Sequence, residues 1–114
     1  MKYAICLLIF LGSCTNEPVN FDSLRVKAND NIVDTVWAKV DQVSYYKANA
    51  YLNFGGEYPN QKFSVFIPGG GLKDVLGYQL DNLQGKKIKI IGEIRLYEGK
   101  PQIILRNKEQ IYAF

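Results

Sequence analysis

The sequence predicts an all-β domain, a five-stranded Greek-key barrel with one short helix between its third and fourth strands. Three observations predict it. Apolar residues alternate with period two in short β-branched and aromatic segments, and those segments are bounded by Gly, Pro and Asn clusters. One stretch between the third and fourth segments switches to helical spacing. The chain has 114 residues, 47% of them hydrophobic and 22% charged, enough for one compact domain.

Before the strands comes an address. Met1-Lys2-Tyr3 leads into Ala4-Ile5-Cys6-Leu7-Leu8-Ile9-Phe10-Leu11, a positive charge followed by an apolar run well short of the roughly 20 residues that span a bilayer. Residues 1–13 therefore read as a cleaved secretory signal. Leu11-Gly12-Ser13-Cys14 resembles the lipobox of bacterial lipoproteins. The resemblance implies cleavage before Cys14 and a diacylglyceryl group on its thiol. Two acyl chains, at about 0.8 kcal/mol per buried methylene, hold a domain stably on a membrane. The expected location is the bacterial cell envelope, lipid-anchored on the periplasmic face. The competing reading takes Cys6 and Cys14 as two apolar residues of an ordinary signal. With Cys6 removed and Cys14 acylated, no disulfide forms within the chain.

Residues 14–31 are polar and read as the lipidated N-terminus and a tether, ending in a short ordered element around Phe21 to Val26. Residues 32–114 form the domain. Val36 to Val43 alternates as a first strand. Ala50 to Phe54 is a second, ended by Gly55-Gly56, and Lys62 to Ile67 a third, ended by Pro68-Gly69-Gly70-Gly71. Leu72, Val75, Leu76, Leu80 and Leu83 then lie close to one helical face, weakened by Gly77 and stopped near Gly85. Lys86 to Leu96 is a long fourth strand with Gly92 inside it, where a bulge or bend suits a small barrel. A turn at Tyr97-Glu98-Gly99-Lys100 leads to a fifth strand, Pro101 to Arg106. Glu109 to Phe114 is a closing strand or a short helical turn.

A sheet this small must hide its edges, and barrel closure does so. Val36-Trp37-Ala38-Lys39-Val40, Tyr51-Leu52-Asn53-Phe54-Gly55 and Phe63-Ser64-Val65-Phe66-Ile67 resemble bacterial OB-fold domains of the nucleic-acid-binding type. So, above all, does Leu83-Gln84-Gly85-Lys86-Lys87-Ile88-Lys89-Ile90-Ile91-Gly92-Glu93-Ile94, continued by Tyr97 to Leu105. The resemblance covers about Ile32 to Ile111 and implies the fold more strongly than the ligand. No nuclease motif accompanies it.

In OB-folds the ligand face is built on strands two and three and flanked by the loops between strands one and two and strands four and five. Strand parity sends Leu52, Phe54, Phe63, Val65 and Ile67 inward and Tyr51, Asn53, Ser64 and Phe66 outward. The ligand-binding candidates are Tyr45, Tyr46, Lys47, Tyr51, Asn53, Phe66, Lys89, Arg95, Tyr97 and Lys100. Aromatic faces stack bases while cations follow the phosphates. The other reading is that Tyr and Phe are good strand formers and the lysines a solvated exterior.

The formal charge is only +3, from 14 basic and 11 acidic residues, but the halves differ. Glu17 to Glu57 holds four basic and six acidic residues, and Tyr58 to Phe114 nine basic and five acidic. A polyanion site would lie in the second half, interrupted by Glu93 and Glu98.

The chain has no His, which removes the commonest general base and metal ligand. Gly69-Gly70-Gly71 lacks the Gly-Lys-Ser/Thr ending of a phosphate loop, and Asp22, Asp30, Asp34 and Asp41 lack calcium-loop spacing. The expectation is a binding module with no catalytic residues, no metal and no cofactor. Its partners would be a membrane through Cys14 and either single-stranded nucleic acid or, at the same face, an envelope protein or glycan.

Overall fold

The computed structural model describes residues 19–69 and 80–113. They form one α-helix, α1 (Phe21–Asn29), and seven strands. The strands are β1 (Val33–Lys39), β2 (Gln42–Tyr46), β3 (Asn49–Phe54), β4 (Phe63–Ile67), β5 (Lys87–Tyr97), β6 (Lys100–Ile104) and β7 (Ile111–Ala113). Single 3₁₀ turns lie at Asp81–Leu83 and Lys108–Gln110. The expected Cys14 anchor and signal lie outside the described residues, as do Leu72, Val75 and Leu76 of the expected helix.

The strands run in the order β1-β5-β6-β4-β3-β2, with β7 against β5. Every pair is antiparallel except β4–β6. The expectation of a closed five-stranded barrel is thus corrected: among the described residues there are seven strands, and no ladder joins β1 to β2 at the two ends of the path. Those ends are nevertheless consecutive in the chain. The Val40 N–H donates to the Lys86 carbonyl and the Asp41 N–H to the Asn53 carbonyl, both at 2.9 Å. The expected first strand is therefore split at Val40–Asp41, where the backbone passes from the β5 side to the β3 side.

The helix also differs in position. The α-helix precedes β1, inside the expected tether, and the described end of the expected helical stretch is one 3₁₀ turn. Helix α1 is set by its ends. Asn20 Oδ1 accepts from the Ser23 N–H at 3.0 Å. At the other end Asn31, at φ 52°, allows the Ile32 and Asn31 N–H groups to reach the carbonyls of Lys27 and Ala28. Leu24 and Ala28, one turn apart, bury against the strands, and Lys27 pairs with Asp34 of β1.

The core follows the predicted alternation. Leu52, Phe54, Phe63, Val65 and Ile67 are at most 1% exposed, and Ile88, Ile90, Ile94 and Ile103 join them. Gly92 makes room rather than a bulge: the β1–β5 ladder runs unbroken past it, and a Cβ there would meet Ile103 Cγ2 at 2.7 Å and Gln110 Nε2 at 2.9 Å.

Candidate functional site

The outward side of β2, β3, β4 and β6 carries one row of polar residues. Register places Gln42 opposite Asn53, Asn53 opposite Ser64, Ser64 opposite Gln102, and Gln102 opposite Arg95 of β5. The row is largely self-satisfied. Asn53 Nδ2 donates to Gln42 Oε1 at 2.9 Å and to Ser44 Oγ at 3.0 Å, and Gln102 Nε2 donates to Ser64 Oγ at 3.1 Å. Although they point outward, Asn53, Ser64 and Gln102 are 1%, 5% and 7% exposed. They form the floor of a groove of about 490 Å³ whose walls rise on both sides.

The walls are aromatic. Tyr45, Tyr46, Tyr51, Tyr58 and Tyr97 all line the groove. Tyr46 and Tyr51 come from the β2–β3 hairpin, whose turn is made by Lys47 at φ 58°. Tyr97 stands at the end of β5, before the Glu98-Gly99 turn in which both residues have positive φ. Tyr58 comes from the β3–β4 loop. Its backbone N–H donates to Gln42 Oε1 at 2.9 Å, so the floor holds the wall. That loop is anchored at its start by Asp41 Oδ2, which accepts from the Gly55 and Gly56 N–H groups at 2.7 and 3.0 Å.

Two tyrosines have raised pKa values. The Tyr45 hydroxyl donates to Asp81 Oδ1 at 2.6 Å, and this bond, with burial, pushes its pKa up to about 12. Burial raises Tyr51 first, followed by the nearby Tyr97, Tyr46, Tyr58 and Glu98. The charged side chains lining the groove are Lys100 and Glu98.

The structure brings together six of the predicted candidates as groove lining: Tyr45, Tyr46, Tyr51, Asn53, Tyr97 and Lys100. Phe66 does not line it. Its ring lies 5.1 Å from that of Tyr51, its cross-strand neighbour. Lys47 sits at the hairpin tip with its Nζ 5.4 Å from the Tyr46 ring centre, and Arg95 pairs with Gln102 but does not line the groove. Lys89 lies away from the groove: its Nζ is 5.4 Å from the Trp37 ring and 4.5 Å from the Tyr112 ring, over β1 and β7. Sequence reasoning missed Tyr58, Gln61 and Gln102. The aromatic residue in a Gly-Gly-Glu-Tyr-Pro loop beside strands two and three was the available signal for the first.

No family model matches the sequence, and no curated protein matches it. Among solved structures the chain is similar to the p204 HINb domain, with a TM-score of 0.62 and 14% identity. The likeness covers 90% of this chain and 49% of that one, so the chain spans about half the length of that structure. At this identity the likeness speaks to the fold alone. The fold is mostly β, with one short helix, and OB-like.

Proposed function

We propose that the chain is a non-catalytic binding module that takes single-stranded nucleic acid into the tyrosine-walled groove. The observation that carries the reading is the convergence of Tyr46, Tyr51, Tyr58 and Tyr97 over a buried amide floor. Unpaired bases stack on such ring faces for about 1 to 3 kcal/mol each. Beneath them Asn53, Ser64 and Gln102, held by their bonds within the row, give the groove a neutral polar floor. Lys100, Lys47 and Arg95 stand at positions from which cations follow phosphates. The same reading keeps Cys14 as a lipid anchor holding the module in a bacterial cell envelope.

A second reading has a specific observation in its favour. The groove lining balances Lys100 against Glu98, and neutral amides with tyrosines also suit a glycan. Fluorescence anisotropy with a labelled single-stranded oligonucleotide separates the two. Nucleic-acid binding weakens steeply as salt rises, by about 0.7 in log K per log salt for each phosphate contact. Absence of binding at low salt, together with salt-independent binding to an oligosaccharide, overturns the first reading.

A further inference from the structure

A second depression borders the groove. Between α1 and the loop before β4 lies a cleft of about 380 Å³, and Pro59, Gln61 and Lys100 line both it and the groove. The electrostatics of the two differ. The groove carries one cation against one anion, whereas the cleft carries Arg25, Lys62 and Lys100 against Asp22. Among the described residues no carboxylate lies within ion-pair distance of Arg25 or Lys62.

We infer that this cleft carries the phosphate backbone of a strand whose bases lie in the groove, with Arg25 and Lys62 as the phosphate contacts. The inference rests on the single-strand reading of the groove and adds the path and the cations to it. Charge complementarity points to a polyanion, and the shared border points to one that continues from the groove.

The division of labour has a consequence in strand length. A strand of about four nucleotides fills the groove alone, and one about twice as long also crosses the cleft. The test uses the full chain, the Arg25→Ala/Lys62→Ala variant and the conservative Arg25→Lys/Lys62→Arg variant, with labelled single strands of both lengths over a salt series. Both side chains are exposed, and circular dichroism checks that the variants fold. The alanine variant should bind the long strand with a salt slope lower by about 1.4, two contacts at about 0.7 each, and the short strand unchanged. The conservative variant should restore the slope.

An unchanged slope for the long strand, with wild-type binding intact, overturns this inference and leaves the groove reading standing. Failure of the wild type to bind either strand overturns both. Loss of binding to anionic phospholipid vesicles in the alanine variant, with oligonucleotide binding unaffected, assigns the cleft to a lipid surface and overturns the inference too.

Discussion

The Lys100 ammonium donates to the Pro59 carbonyl oxygen at 2.6 Å, joining the β5–β6 turn to the β3–β4 loop. This bond sits where groove and cleft meet, and it braces the loop that carries Tyr58. Lys100→Met should leave the fold intact, because the bond is exposed, and should speed amide exchange at Tyr58 and Asn60. Hydrogen-exchange mass spectrometry checks it. Unchanged protection at those amides would mean that Gln42 and Asp41 hold the loop without it.

Tyr51 stands at the centre of the aromatic wall, half-buried against Phe66. Tyr51→Ala should weaken single-strand binding by about 1 to 3 kcal/mol, or roughly 5- to 150-fold in Kd. Tyr51→Phe should retain most of the affinity, since the ring face does the stacking. Anisotropy titrations of both variants decide the matter, and equal losses would assign the effect to the hydroxyl.

Gly55 has φ 72°, and a Cβ there would lie 2.8 Å from the Phe21 ring at the start of α1. Both backbone and space oppose a side chain. Gly55→Ala should cost about 1 to 3 kcal/mol of stability in urea unfolding and loosen the first turn of α1. A neutral substitution would show that Phe21 can swing away freely.

Tyr45 gives a pH dependence of definite sign. Its hydrogen bond to Asp81 raises the folded-state pKa from 10.0 to about 12, so the folded chain keeps a proton that the unfolded chain has lost. The stabilisation is complete below about pH 10 and disappears as pH rises through about 12. Urea unfolding followed across this range should show a shallower alkaline decline in Tyr45→Phe than in the wild type. Equal declines in the two proteins would contradict the assignment.

The sequence made the core legible because apolar residues recur with period two through β3, β4 and most of β5. Leu52, Phe54, Phe63, Val65 and Ile67 fall inside as the pattern requires. Alternation says which face a residue takes, but not which neighbour the strand pairs with, so the break at Val40–Asp41 was hidden. It also cannot separate two outward directions on a curved sheet. Lys89 and Tyr51 both point away from the core, yet Lys89 meets Trp37 and Tyr112 while Tyr51 meets the groove.

Burial of Asn53 depends on Tyr58 and its loop, which rise beside it, and no local pattern in β3 encodes that cover. Helix α1 was obscured for a related reason. Its buried face is only Leu24 and Ala28, and its clearest signals were the capping residues Asn20 and Asn31.

The central claim is that the tyrosine-walled groove is the ligand site. Nitrogen–proton correlation spectra of the labelled chain, recorded while a single-stranded oligonucleotide is added, test it residue by residue. Shifts should concentrate at Tyr46, Tyr51, Asn53, Tyr58, Tyr97 and Gln102, with the amides of Trp37, Lys89 and Tyr112 unmoved. Shifts gathered around Trp37 and Tyr112, or none anywhere at low salt, would contradict it.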